Sequence, residues 1–315
     1  MILYILRRLG FLVLTLLLTS IIIFSISQVL PGDIARIRLG REASDEAVAA
    51  LRVKLGLNDP APVRYLRWLS GFVQGDWGTS YTDGSPVYPL VMDRLTKSMW
   101  LALVTLVIAV PLSIALGVIA GLNANKPIDG IISVTSLALV GFPEFVSGIA
   151  LIGLFSYQLH WLPASSPISP TATFQQALPS LILPALTATL VLLAYVIRLT
   201  RAGVIEVLKK AYVRTAVLKG LPWRKVVSSH ILRNALLPTI TVIAISFGWL
   251  ISGLVVIENV FLYPGLGRQM IDAISRRDLD MMQAIAMVTV LFYVLANLTA
   301  DVLYAYLNPR IRLDA

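Results

Sequence analysis

The sequence contains no cysteine and only two histidines, His160 and His230. Without cysteine there is no disulfide framework, thiolate metal site or cysteine nucleophile, and two histidines do not make a multi-histidine metal site. The sequence also lacks the GxxxxGK(S/T) loop that binds nucleotide phosphates and the HExxH pair of zinc proteases. We therefore predict no catalytic residue, no resident cofactor and no bound metal on this chain.

Charged side chains are also scarce. They make up 14% of the 315 residues, whereas 57% of the residues are hydrophobic and the mean hydropathy is +0.81. A soluble domain carries about a quarter charged residues. A water-soluble core could not hide this much apolar surface, so the chain is expected to be an all-α membrane protein.

Six apolar stretches approach the length that a membrane helix needs, and we number them as spans 1 to 6. They cover about 9–30, 99–122, 131–159, 177–199, 236–257 and 282–307. The first begins like a signal peptide, with Arg7 and Arg8 before an apolar run of about 22 residues. A signal sequence has an apolar region of about 7–15 residues followed by a small-residue cleavage site. We therefore expect a retained span.

Basic residues are distributed unevenly between the predicted loops. The N-terminus, the 122–130 turn, the 198–235 loop and the tail 308–315 hold 14 basic residues against three acids, while the other loops hold 12 of each. Cytoplasmic loops carry the excess of Lys and Arg. Both termini are therefore expected in the cytoplasm. Because the net charge of +9 lies on these loops, it does not indicate nucleic-acid binding.

Residues 31–97, between spans 1 and 2, are too many for a simple connection. Pro31-Gly32 ends span 1, Ser44 is a helix N-cap, and a further helix is predicted from Pro62 to Phe72. The segment is expected to form a small helical subdomain on the outer face. It either packs on the bundle as a cap or contacts the solute.

The chain is thus expected to consist of four parts. They are a first transmembrane helix at 1–30, the outer segment 31–97, a transmembrane core at 98–307 that includes a cytosolic loop at 200–235, and a cytosolic tail at 308–315.

Helix breakers and two acids interrupt the predicted spans. Glu144 follows Phe142-Pro143, so it either lines a solute path or satisfies a neighbouring group. Ser252 lies in span 5, whereas both histidines lie outside the membrane core, so a serine–histidine nucleophile is not expected. Phe142, Glu144 and Ser252 are the candidate residues of a translocation path. Asp301, near the inner end of span 6, is expected to make a buried hydrogen bond.

The loop between spans 4 and 5 is the most informative polar segment. A single apolar stripe at the helical period is formed by Val204, Val207, Leu208, Ala211, Thr215 and Leu218. Glu206 and Lys210 form an i,i+4 pair, and Gly220 followed by Pro222 ends the helix. A second helix is predicted from Trp223 to Leu236. The amphipathic helix either lies on anionic membrane lipid or docks on a cytosolic partner.

This loop resembles the "EAA" loop of ABC-importer permeases, more narrowly that of the dipeptide/oligopeptide/nickel branch. The loop residues of interest are Glu206, Ala211, Tyr212, Arg214, Thr215, Ala216, Lys219, Gly220 and Leu221. Further family-like motifs follow in order: LPGD at 30–33, GDWGTS at 75–80, WLP at 161–163, ENVF at 258–261, PGLG at 264–267 and NPRIR at 308–312. One departure is Arg233, which stands where the general loop has Leu-Pro, and Asn308 stands where Asp is common.

The resemblance implies a type I ABC importer permease fold with six transmembrane helices and the outer subdomain between spans 1 and 2. It implies that the loop seats in a groove of an ATPase subunit, which holds ATP and Mg. It also implies a second homologous permease, two ATPases and an extracytoplasmic solute-binding protein in a bacterial inner membrane.

The resemblance further implies import of di- or oligopeptides. Another small solute, such as glutathione or a nickel chelate, is the alternative. A stand-alone secondary transporter is a weaker alternative, because it would need intramembrane charges for coupling and only Glu144 and Asp301 qualify.

Overall fold

The computed structural model of the protein describes residues 2–29, 34–40, 42–54, 56–169 and 171–307. The predicted end of span 1 at Pro31-Gly32 and the tail 308–315, with its NPRIR motif, lie outside the described residues.

The described chain has four single helices that are long and apolar enough to cross a bilayer, and two bent pairs of helices that each form one further span. The six spans are Ile2–Val29, Val87–Leu122, Pro127–Gly141 with Glu144–Gln158, Phe174–Leu208, Trp223–Ala235 with Leu237–Gly253, and Leu279–Leu307. The all-α architecture with six membrane helices is therefore confirmed.

Shorter helices lie between the spans. The outer segment contains Ile34–Leu39, Asp45–Lys54 and Ala61–Gln74, the loop after span 4 contains Ala211–Leu218, and the loop after span 5 contains Val255–Val260 and Leu266–Arg276. In the described chain the only β pairing is one isolated bridge between Thr79 and Pro86.

Span 4 is the centre of the bundle. In its most apolar window 67% of the residues are buried, against 11% in span 1, so span 1 is peripheral. Spans 2 and 4 pack closely because Gly117 and Gly121 leave room. A β-carbon on Gly117 would lie 2.6 Å from Cβ of Thr200, and one on Gly121 would lie 2.7 Å from Cβ of Val204. Small residues four apart commonly allow this approach of membrane helices.

Span 3 is broken where the sequence predicts one apolar run. Its first helix ends at Gly141, its second begins at Glu144, and the two axes differ by 101°. Phe142 is extended, with ψ 134°, as residues before proline usually are, and Pro143 cannot donate a backbone hydrogen bond. The helix breaker at Pro143 thus interrupts the apolar run 131–159 as its residues predict, although the sequence does not predict the size of the bend.

The outer segment packs on the bundle, as the cap alternative predicts. The Tyr65 hydroxyl lies 2.8 Å from the Ser20 hydroxyl of span 1. Ser80 donates to Asp278 at 2.5 Å, just before span 6, and the Tyr81 amide donates to the same carboxylate at 3.0 Å. The outer segment is thus tied to both span 1 and span 6.

Candidate docking loop and solute path

The first of the two helices that the sequence predicts between spans 4 and 5 is divided in the structure. Span 4 continues to Leu208, Lys210 takes an extended conformation with φ −74° and ψ 140°, and a new helix runs over Ala211–Leu218. The prediction of one amphipathic helix through 204–218 was therefore wrong.

An apolar cluster explains the turn at Lys210. Val213 and Ala216 of the second helix fold back onto Val204 and Val207 of span 4, and all four side chains are buried. The same cluster receives Val226, Ile231 and Ala235 from the beginning of span 5. A straight helix would carry Val213 and Ala216 away from this cluster, which would lose the free energy of their burial.

The helix Ala211–Leu218 ends as predicted at Gly220. Gly220 has φ +72°, which glycine adopts without steric cost. The Gly220 amide donates to the Val217 carbonyl at 3.0 Å, and the Leu221 amide donates to the Ala216 carbonyl at 3.4 Å. This pair of bonds is a Schellman motif, and Leu221 packs against the apolar cluster as that motif favours.

The outward side of the loop exposes large apolar side chains among cations. Leu218 is 77% exposed, Trp223 52%, Val217 48% and Tyr212 43%. The exposed cations around them are Lys209, Lys210, Arg214, Lys219, Arg224 and Lys225. Exposed apolar side chains grouped in this way are typical of a protein-binding surface. We call this surface, residues 209–225, the docking surface.

The other predicted loop residues lie on the last turn of span 4 or on the helix Ala211–Leu218 and its C-terminal turn. Glu206 and Lys210 form the expected ion pair at 2.9 Å, on exposed side chains. Ala211, Arg214 and Thr215 are exposed, whereas Ala216 is buried. Tyr212 is exposed together with these three residues. Its hydroxyl accepts a hydrogen bond from the Asn234 side chain at 3.1 Å, which links the short helix to span 5.

Of the three predicted path residues, the structure brings two together. Phe142 and Glu144 flank Pro143 at the break in span 3, where Phe142 is 56% exposed. Glu144 is partly buried and makes no hydrogen bond or ion pair with the rest of the described chain. The Ser252 hydroxyl donates within its own helix, to the carbonyls of Gly248 at 3.3 Å and Trp249 at 3.2 Å.

Asp301 forms an ion pair where a buried hydrogen bond is predicted. Its carboxylate lies 2.7 Å from the Arg8 guanidinium, and the two side chains are 33% and 43% exposed. The pair joins the beginning of span 1 to the last turns of span 6. Exposed pairs of this kind contribute at most about 1 kcal/mol.

Glu258 is a buried carboxylate that the sequence reasoning did not single out. It is 1% exposed, and it accepts hydrogen bonds from the Ser98 hydroxyl at 2.6 Å and from the Arg268 amide at 3.0 Å. It thus caps the N-terminus of the helix Leu266–Arg276. Burial raises the pKa of the Glu258 carboxyl from its usual 4.5 to about 7.

The PGLG motif provides the space for this carboxylate. A β-carbon on Gly265 would lie 2.1 Å from Oε1 of Glu258, and one on Gly267 would lie 2.6 Å from Cα of Val255. The ENVF and PGLG motifs therefore form one structural unit. An acid directly after an apolar span, followed by two closely spaced glycines, is the sequence signal that could have identified it.

Asp129 is a second buried acid, and it joins the turn between spans 2 and 3 to span 4. It is 3% exposed, and Arg201 of span 4 donates to its two oxygens at 2.5 and 2.7 Å. The Asn125 amide donates to the same carboxylate at 2.9 Å. The short turn between spans 2 and 3 is thereby fixed to span 4, two residues before Gly203.

The fold defines a multi-pass membrane protein, and comparison with known proteins identifies its family. Residues 113–313 match the family described as "Binding-protein-dependent transport system inner membrane component", and residues 1–102 match its N-terminal region. The chain belongs to this family, the type I permeases of ABC transporters.

Two permeases of known sequence agree with this assignment. The chain is 37% identical over 309 residues to the glutathione transport system permease protein GsiC of Escherichia coli strain K12, covering 98% of each chain. It is 36% identical to the probable peptide ABC transporter permease protein y4tP of Sinorhizobium fredii, covering 98% of this chain and 99% of that one. A crystal structure of an amino acid ABC transporter with histidines has a TM-score of 0.49 and 18% identity, covering 70% of this chain and 94% of that chain.

Family membership establishes several points about the chain. It is a membrane permease subunit of an ABC transporter, and not itself a catalytic enzyme. It is a multi-pass protein of the bacterial inner membrane, and the family works in complexes with ATPase and binding-protein subunits.

Proposed function

We propose that this chain forms one half of the membrane pore of an importer for di- and oligopeptides, including peptide-like solutes such as glutathione. The other half is a second, homologous permease. Two ATPase subunits hydrolyse ATP at the cytoplasmic face, where both termini of this chain lie, and a solute-binding protein delivers the peptide from outside. Relatives named for peptide and for glutathione transport support this solute class.

The docking surface carries the proposal. Leu218 ends the helix Ala211–Leu218, which at 8 residues is too short to be a membrane span. Trp223 follows it at the first residue of span 5. Both side chains are exposed and suit an apolar groove on an ATPase. Helix-in-groove binding of this kind is a common recognition mode. The interacting segment comprises Glu206, Ala211, Tyr212, Arg214, Thr215, Ala216, Lys219, Gly220 and Leu221.

The apolar cluster beneath the docking surface provides the mechanical link. Val213 and Ala216 are packed against residues from spans 4 and 5, so the short helix cannot move without those spans. When ATP draws the two ATPases together, we expect spans 4 and 5 of this chain to move with them. Alternation between inward-open and outward-open states then follows from rigid movement of helices.

Phe142, Glu144 and Ser252 are proposed to line the solute path. The support for Glu144 is that a carboxylate at membrane depth has no partner in the described chain. A peptide's ammonium group would provide the partner that such a group requires.

The test of the docking surface is recruitment of the ATPase. Leu218→Glu introduces a charge at the centre of the proposed contact, while Leu66→Glu changes a leucine that is 63% exposed on the outer segment. We expect Leu218→Glu to abolish co-purification of the ATPases while the two permeases still associate, and Leu66→Glu to leave both unchanged. Normal ATPase recruitment by Leu218→Glu would contradict the proposed docking.

A further inference from the structure

A pocket of about 300 Å³ opens between spans 4, 5 and 6. The polar and aromatic side chains that line it are Tyr195 of span 4, Ser246 and Trp249 of span 5, and Tyr293 of span 6. Tyr293 is the middle residue of Leu279–Leu307, and Ser246 is near the middle of Leu237–Gly253. The pocket therefore lies at the depth of the bilayer interior.

The two tyrosines are unusual at this depth. Tyr195 is 57% exposed and Tyr293 is 40% exposed, and neither hydroxyl forms a hydrogen bond with the rest of the described chain. Tyrosines that face lipid normally lie at the membrane interfaces, because a hydroxyl without a partner in hydrocarbon is costly. By contrast, the hydroxyl of the exposed Thr15 of span 1 donates a hydrogen bond to the Phe11 carbonyl at 2.8 Å. The face that carries Tyr195 and Tyr293 is thus built to meet a polar partner.

The polar character of this face continues towards the cytoplasm. Asn297 lies one turn after Tyr293 on the same face of span 6, and its amide makes no hydrogen bond within the described chain. Arg198 lies one turn after Tyr195 on span 4 and is exposed. Polar side chains on spans 4 and 6 therefore follow the two tyrosines by one helical turn on each span.

We infer that this pocket is a subsite of the solute path, which holds an apolar side chain of a transported peptide. The inference rests on the proposed function of peptide import. Trp249 and the two tyrosine rings provide apolar walls, while the tyrosine hydroxyls and Asn297 bond to the peptide's amide groups. Aromatic side chains with a polar tip suit this combination of contacts.

Cysteine accessibility distinguishes a solute path from a surface that faces lipid. The chain contains no cysteine, so an introduced cysteine is its only thiol. In the whole transporter, reconstituted in vesicles with cysteine-free partner subunits, Tyr293→Cys is compared with Leu14→Cys. Leu14 is 51% exposed on the peripheral span 1. A membrane-impermeant sulfonated thiol reagent, present on both sides of the membrane, reacts only with thiolates that contact water.

The expected result is modification of Tyr293→Cys at least roughly tenfold faster than Leu14→Cys, because a thiol in lipid does not ionise. Saturating trialanine or S-methylglutathione should slow the reaction at Tyr293→Cys alone. Equally slow modification of both variants overturns the inference, since the face then meets lipid or the partner permease. Fast modification that neither peptide slows also overturns it. If Tyr293→Cys does not assemble, Ile245→Cys replaces it, because Ile245 lines the same pocket and is 42% exposed. The expected rate of modification and the expected protection by peptide are the same.

Peptide uptake by vesicles that contain the transporter without an introduced cysteine distinguishes failure of the proposed peptide import from failure of the proposed pocket subsite. If neither peptide is imported, peptide import itself is contradicted. If a peptide is imported but does not protect Tyr293→Cys or Ile245→Cys, the pocket alone is contradicted.

Removal of the hydroxyls tests the proposed bonds to the peptide. Tyr195→Phe and Tyr293→Phe should each raise KM for trialanine uptake about two- to tenfold, the usual value of one hydrogen bond. ATPase recruitment should not change. The control is Tyr157→Phe, a tyrosine 70% exposed at the outer end of span 3. An unchanged KM in both pocket variants overturns the assignment of their hydroxyls to the solute.

Discussion

Gly203 lies so close to Ala235 that a β-carbon at position 203 would stand 2.4 Å from the Ala235 carbonyl oxygen. The contact joins the C-terminal end of span 4 to the first of the two helices of span 5, on either side of the short helix Ala211–Leu218. Because the obstructing atom belongs to the backbone, a side chain at 203 cannot be accommodated by a change of rotamer. Gly203 is therefore the residue that allows the loop to be held by both spans at once.

Gly203→Ala should impair coupling. Overpacking against a backbone carbonyl typically costs about 1–3 kcal/mol, and relief of the clash requires spans 4 and 5 to separate. We expect a lower unfolding temperature and reduced peptide-stimulated ATP hydrolysis in the assembled transporter. The matched control is Gly130→Ala, also in a helix, where an added β-carbon meets nothing within 4 Å. There the change should be neutral or stabilising by about 0.5–1 kcal/mol. Equal behaviour of the two variants would contradict the role of this contact.

The end of the docking helix should be sensitive to the backbone conformation of residue 220. Gly220→Leu places a branched side chain at φ +72°, which costs about 1–2 kcal/mol, whereas Gly220→Asn is tolerated at such positions. We expect Gly220→Leu to weaken ATPase co-purification and uptake, and Gly220→Asn to retain most of both. Loss of function in both variants would indicate that the absence of a side chain matters more than the backbone conformation.

Glu206→Lys should also uncouple transport. The change replaces an ion pair with Lys210 at 2.9 Å by a pair of like charges on the docking loop. Since the pair is exposed, its effect on folding should be within about 1 kcal/mol, and the loss should show in ATPase recruitment and uptake. Glu206→Gln, which removes the charge without reversing it, is the control. We expect it to lose less ATPase recruitment and less uptake than Glu206→Lys. Normal recruitment and uptake by Glu206→Lys would remove this residue from the docking contact.

Signals carried by neighbouring residues allowed correct prediction of much of the fold. The six apolar runs predict six spans because each must cross the same thickness of hydrocarbon. Gly220 followed by Pro222 predicts the helix end because the rule involves only adjacent residues. The break at Pro143 was marked by its residues, although the 101° bend was not predicted.

Features that depend on distant partners were missed. The apolar period through 204–218 does not reveal the turn at Lys210, because that turn depends on the cluster with span 5. The ion pair of Asp301 was not predicted, because its partner Arg8 lies at the other end of the chain. Glu258 was not recognised as buried, since its partner Ser98 is 160 residues away in sequence. In each case the tertiary contact decides the conformation or the environment.

Glu144→Ala should affect transport more than assembly. The carboxylate has no partner in the described chain, so its removal leaves no buried group unsatisfied. We expect normal co-purification of both permeases and the ATPases, and a several-fold lower uptake of trialanine. Glu144→Gln should show whether charge or hydrogen bonding is needed. Unaltered uptake in both variants would show that Glu144 is structural.

Glu258 should make the stability of the permease depend on pH. Its pKa of about 7 in the folded protein exceeds the usual 4.5, so folding favours the protonated carboxyl. The stabilisation is therefore complete below about pH 4.5 and decreases as the pH rises to about 7. Above pH 7 the effect is constant, because both states are ionised.

Glu258→Gln removes this titration while it keeps an acceptor for the Ser98 hydroxyl. The unfolding temperature of the wild-type permease should fall between pH 5 and 7.5, and that of Glu258→Gln should fall less. The difference should correspond to roughly 3 kcal/mol or less in the free energy of unfolding. Asp272→Asn, at an exposed acid on the adjacent helix Leu266–Arg276, should retain the wild-type pH dependence. Parallel curves for the wild type and Glu258→Gln would show that Glu258 stays ionised in the folded protein over this range, held by the Arg268 amide and the Ser98 hydroxyl despite its burial.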